Sequence, residues 1–114
     1  MQKNIDWNGI KRTQVILTTL HPELFSLENP VPFKIGIHDD LKARFPDLKW
    51  YLIRGLFRWL TKRRAYLVKC TEGADRMGFD GPCGVITASA ATHAQEVFAV
   101  RNASAFDPWP SHGA

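Results

Sequence analysis

The sequence predicts a mainly α-helical domain that carries one small β-hairpin, an α+β fold of about five helices. Three observations predict it. Phe33, Ile37, Leu41 and Phe45 recur every four residues, and Leu48, Leu52, Leu56, Trp59 and Leu60 fall on one side at helical pitch. Asp80-Gly81, set between short apolar runs, is a residue pair of tight hairpin turns. A chain of 114 residues with 45% hydrophobic and 23% charged residues has the make-up of one domain with a single modest core.

Taken in order, residues 1–12 are polar with isolated Ile5, Trp7 and Ile10, and read as a flexible arm. The domain itself is expected over residues 13–102. Its first helix runs from about Thr13 to Leu20, with Val15, Ile16, Thr19 and Leu20 facing inward, and His21-Pro22 ends it. Leu24 and Phe25 pack locally before a loop from Ser26 to Pro32. The second helix spans roughly Lys34 to Phe45. Gly36 near its start costs up to ~1 kcal/mol against alanine inside a helix, and reads as a place of close backbone approach.

Pro46 blocks continuation of that helix, and Asp47 reads as the N-cap of a third, Leu48 to Leu60. Thr61 reads as the N-cap of a short fourth helix, about Lys62 to Lys69, which gives way at Gly73. The hairpin occupies Asp75–Ile86, with Arg76 on its first strand and Pro82 at an edge position. A last helix starts after Thr87 or Ser89 and runs to about Arg101, its stripe marked by Ala90, Ala94, Val97, Phe98 and Arg101. Residues 103–114, with Phe106 and Trp109, read as a flexible tail.

Charge directs the functional reading. The net charge of +4 and pI near 9.3 favour an acidic partner, and every charged residue from Arg54 to Lys69 is basic. Trp50, Arg54 and Arg58, each four apart, make a cationic stripe with an aromatic in it. Lys62-Arg63-Arg64 then follow Thr61. Cations in a first turn oppose the helix dipole, which favours acids there by about 0.3–1 kcal/mol each. Two readings follow. Either an anion sits at the helix start, held by N–H groups and basic side chains, or one continuous helix carries a solvated basic face. Tyr66, one turn on, offers a ring for stacking or a hydroxyl for a terminal group, or else is a half-buried core aromatic. Arg76 can close such a site from the hairpin, whereas Lys34 taken alone is a solvated lysine.

Other classes find little support. No apolar run approaches the ~20 residues that span a bilayer, and the first residues lack the apolar core of a signal peptide, so a cytoplasmic, membrane-free protein is expected. Cys70 and Cys83 read as free thiols, and with His93 they make no zinc spacing. His38-Asp39-Asp40 diverge by about 100° per residue on a helix, and no nucleophile elbow, phosphate-binding glycine loop or carboxylate pair is present. No enzyme, cofactor or small-molecule substrate is therefore expected, and the absence of a heptad seam makes monomer the default. The fourth helix is too short to read a major groove, which favours phosphate gripping over base-edge readout. A basic interaction domain for an acidic protein and a DNA-binding regulator remain the alternatives.

Phe33-Lys34-Ile35-Gly36-Ile37, followed by Asp40-Leu41, resembles the Pro-Leu-Lys-Ile-Gly-Ile…Asp-Leu signature of the ProQ/FinO RNA chaperones. The likeness continues through Arg54, Arg58, Thr61, Tyr66-Leu67, Gly73, Arg76, Asp80-Gly81 and Cys83-Gly84, in the family's order, over roughly Val15 to Ile86. It implies a compact helical domain that binds the stem base and single-stranded 3′ tail of structured RNAs and promotes RNA pairing. It further implies that Thr61, Lys62 and Arg63 hold phosphates of the 3′ end, that Tyr66 and Arg76 line a 3′-terminal pocket, and that Lys34, Arg54 and Arg58 follow the duplex. Trp50 stands where members often place lysine, Ala65 where several carry arginine, and the hairpin turn is one residue shorter. Lys62-Arg63-Arg64 compensates for those charges, and the chain looks like a minimal version of the family.

Overall fold

The structure, a computed structural model, describes residues 5–103. Asp6 opens the first helix: its carboxylate accepts from the Gly9 N–H at 2.9 Å, satisfying a donor that the first turn leaves orphaned. The helix, α1, therefore spans Trp7–Leu20, and residues 7–12 belong to it rather than to an arm. The buried face also differs from the expected one. Ile10, Thr13, Gln14 and Leu17 point inward, while Val15, Ile16 and Leu20, expected inside, are more than half exposed. The true stripe begins at Ile10, which the shorter helix left out.

A single turn, α2 (Pro22–Phe25), follows His21 and buries Leu24 and Phe25. The Thr18 hydroxyl donates to the Phe25 carbonyl at 2.8 Å, tying α2 back to α1. Residues 32–34 are extended. Met77 N–H donates to Pro32 O at 2.7 Å and Lys34 N–H donates to Met77 O at 2.9 Å, a parallel bridge to the hairpin. Gly36 then turns the chain at φ +85°, and α3 (Ile37–Arg44) starts three residues later than expected. Nothing lies within 4 Å of a Cβ placed on Gly36, so its positive φ, and not a close contact, calls for glycine.

Asp47 is no cap. It lies in a turn closed by Leu48 N–H on Phe45 O at 3.0 Å, and α4 spans Trp50–Leu60 with Lys49 at its N-cap. Ile53, Leu56, Phe57 and Leu60 form its buried face, flanked by the partly buried Leu48, Leu52 and Trp59. After α5 (Arg64–Leu67), the antiparallel pair β1 (Asp75–Gly78) and β2 (Gly81–Val85) carries a one-residue irregularity between its Asp75↔Val85 and Met77↔Pro82 pairs. Gly84 at φ +85° supplies the bulge. β1 is central between β2 and residues 32–34, which leaves Pro82 on the outer strand, as expected. α6 (Ala88–Ala103) starts at Thr87, whose hydroxyl accepts from Ala90 N–H at 3.1 Å. The tail beyond residue 103, with Phe106 and Trp109, lies outside the described residues, as do residues 1–4.

The fold is thus helical with a small hairpin. At its centre Phe33 packs on Phe25, Phe57 and Tyr66, with ring centroids 5.7, 5.0 and 5.4 Å away. Close helix approach fixes the α1–α4 crossing: a Cβ on Gly55 would come within 2.8 Å of Ile10 Cδ1, and one on Gly9 within 2.8 Å of Leu52 Cδ2. Gly55→Val is accordingly expected to lower the unfolding free energy by about 1–3 kcal/mol, the usual cost of overpacking. Denaturant unfolding at unchanged m-value checks it.

Candidate nucleic-acid interface

Burying Ile53, Leu56, Phe57 and Leu60 turns the opposite face of α4 to solvent, and that face carries Trp50, Arg54 and Arg58. Positions four apart lie about 6 Å apart along a helix axis, so the cations form a continuous track. Among the described residues no carboxylate pairs with Arg54 or Arg58. Arg54 lies with its guanidinium carbon 5.8 Å from the Trp50 ring centre, and Lys42 of α3 reaches the same ring at 5.9 Å. Lys42 is an addition that helical spacing could not reveal, because it comes from a different element.

The track leads to Lys62, four residues past Arg58, at a pocket of about 240 Å³. Thr61, Lys62, Tyr66, Cys70 and Arg76 line it on one side, and Ala90, His93, Ala94 and Val97 of α6 on the other. Among the described residues no acid lines this pocket. Arg76 reaches across from β1, and its Nη1 donates to Phe33 O at 2.9 Å. Its Nε is buried and makes no hydrogen bond among the described residues. His93 was not expected in this position; α6 folds back to bring it there.

Thr61 does not cap α5. Its hydroxyl donates back to Phe57 O at 2.7 Å, and the N–H groups of Thr61, Lys62 and Arg63 donate to Phe57, Trp59 and Leu60 carbonyls. Those donors finish α4, so they are not available to an anion at the start of α5. The three consecutive cations also diverge. Lys62 lines the pocket, and Arg64 is exposed at the first position of α5. Arg63 instead turns over Trp59, 5.5 Å from its ring centre, and burial lowers its guanidinium pKa. Lys62 and Arg63 precede α5, so the three cations share no helical face.

Tyr66 is a core residue that touches the pocket. It is 7% exposed, its ring stacks on Phe33, and its hydroxyl accepts from Phe33 N–H at 3.1 Å. Burial pushes its phenol pKa up to about 12, against a smaller opposing effect of the Phe33 hydrogen bond. Lys34 stands at the other end of this linkage. Its ammonium bonds Asp40 Oδ2 at 2.6 Å, which raises its pKa. Asp39 and Asp40 lie in the first turn of α3, where acids suit the dipole, while His38 packs on Phe57 at 4.4 Å and desolvation lowers its pKa. Cys70 and Cys83 are both free thiols. No helix among the described residues is long and apolar enough to cross a membrane.

Comparison with known proteins gives this arrangement its context. The RNA chaperone ProQ of Alteromonas mediterranea is 33% identical over 101 residues, covering 84% of this chain. The chain spans 46% of that relative's length. In solved structures, a ProQ homolog from Legionella pneumophila superposes with a TM-score of 0.70 at 20% identity, covering 93% of both chains. A FinO-like RNA chaperone from Neisseria meningitidis MC58 gives 0.60 at 24% identity, covering 75% of this chain and 92% of its own. These two establish the likeness of fold. The sequence pattern of the ProQ/FINO family matches residues 10–107, and on that match the chain belongs to the ProQ/FinO family.

Proposed function

We propose that this protein is a non-enzymatic RNA-binding domain, acting as a monomer in the cytoplasm, that takes the stem base and single-stranded 3′ tail of structured RNAs and promotes their pairing. The observation that carries this reading is the pocket of Thr61, Lys62, Tyr66 and Arg76, lined by no acid among the described residues, at the end of the Arg54–Arg58 track. In it the terminal nucleotide enters the pocket, where Lys62 and Arg76 meet its phosphate and Thr61 and Tyr66 line the wall. Arg54 and Arg58 follow the stem phosphates, and Lys34 exchanges part of its contact with Asp40 for RNA. Arg64 lies at the exposed margin. Arg63 contributes indirectly, by bracing Trp59 behind the track.

Gel-shift titration of one stem-loop with and without its 3′ tail tests the proposal. The tailed RNA is expected to bind about tenfold tighter, equivalent to roughly one charge-assisted hydrogen bond. Equal affinities would reduce the function to general RNA binding, and equal binding of duplex DNA or of acidic peptides would favour the other polyanion readings.

A further inference from the structure

Trp50 lies on the cationic face of α4, next to the exposed Tyr51, and is not among the partly buried residues packed against the core cluster. It keeps 36% of its surface exposed at the first position of the helix. Two cations from different helices flank it. Arg54 comes from the next turn of α4, and Lys42 crosses from α3. The Lys42 ammonium donates to the carbonyls of Pro46, at 2.8 Å, and Leu48. An ammonium carries three donors, so this anchoring fixes the charge and leaves one donor for a ligand.

Both cations stand near the ~6 Å limit of cation–π attraction. Mutual attraction is therefore a weak reason for the arrangement, and neither cation meets a carboxylate among the described residues. A flat apolar surface with an anchored cation on one flank and a solvent-exposed one on another matches a nucleotide with its base on the ring and its neighbouring phosphates at the cations. A base inside a continuous duplex shows no face to stack on. The chemistry thus selects an unpaired nucleotide.

We infer that Trp50 is a nucleotide-stacking position, on which one unpaired base of the bound RNA lies while Lys42 and Arg54 hold the adjoining phosphates. This rests on the RNA-binding reading above and adds a second single-stranded contact, separate from the pocket at Arg76. The unpaired nucleotide lies where the stem frays or bulges beside α4.

Fluorescence anisotropy with the tailed stem-loop, and with RNAs bearing a single abasic site at each unpaired position, tests the inference on wild-type protein, W50A, W50L and W50F. W50A and W50L are expected to weaken binding about tenfold, and W50F by about threefold or less, since phenylalanine still stacks. One abasic position should cost the wild type about tenfold and cost W50A nothing further. Such non-additivity is a readout that a merely structural role would not produce. Wild-type affinity in W50A, or W50A losses that add to those of every abasic RNA, would overturn the stacking position while leaving tail-dependent binding intact. Failure of the wild type to bind the tailed RNA would overturn both readings together. Because the abasic scan on the wild type involves no substitution, the inference is also tested if a variant fails to fold.

Discussion

Tyr66→Ala is expected to lower the unfolding free energy by about 3–5 kcal/mol, the range for deleting a buried aromatic. That is a large fraction of the roughly 5–15 kcal/mol that stabilises a domain. Two losses combine. The cavity removes the ring that stacks on Phe33 at 5.4 Å, and the missing hydroxyl leaves the buried Phe33 N–H without its acceptor. Tyr66→Phe separates them, keeping the ring and costing about 1–3 kcal/mol for the unpaired donor. Denaturant unfolding of the three proteins measures both steps. The prediction fails if Tyr66→Ala unfolds at the wild-type midpoint, and RNA affinity of that variant is interpretable only once its fold is shown intact.

The same burial makes a pH prediction for this residue. With its phenol raised from 10.0 in the unfolded chain to about 12 in the folded one, Tyr66 stabilises the fold fully below pH 10. That contribution is lost as pH rises through about 12, because the unfolded chain releases the proton first. Phenolate absorbance of wild type minus Tyr66→Phe should show one tyrosine titrating near the higher value.

The second large effect concerns binding. Arg54→Ala with Arg58→Ala should lower the slope of log affinity against log salt by about two units, one per phosphate contact. Affinity at low salt should fall about tenfold or more. Both side chains are exposed and make no ion pair among the described residues, so the fold should keep its stability. Lysine at both positions should retain the slope, since a point charge displaces a counterion as an arginine does. An unchanged slope in the double alanine variant would remove α4 from the RNA track.

Much of the architecture was legible from residue types and spacing. The four-residue rhythm of Phe33–Phe45, the hairpin at Asp80-Gly81 and the start of α6 at Thr87 rest on local chemistry: periodic burial, turn geometry and a hydroxyl cap. The outward direction of Arg54 and Arg58 was legible too, because burying one side of an amphipathic helix exposes the other. Errors arose where a local signal had a competing use. Asp47 and Thr61 both look like N-caps. The chain uses the first in a turn after Phe45, and folds the second back onto the Phe57 carbonyl. Asp6, an actual cap, carries little local signal because so few apolar residues precede Ile10.

The sequence by itself determined the helical class, the hairpin, the basic outer face of α4 and, through its ordered motifs, the family. Only the tertiary structure decided where the cations outside that face turn and which aromatics are buried. It turned Arg63 onto Trp59, buried Tyr66 under Phe33, brought Lys42 to Trp50 and set His93 opposite Arg76. Each of those contacts joins different elements or opposite ends of one connection. Their partners are chosen by packing in three dimensions, about which periodicity along a single helix carries no information.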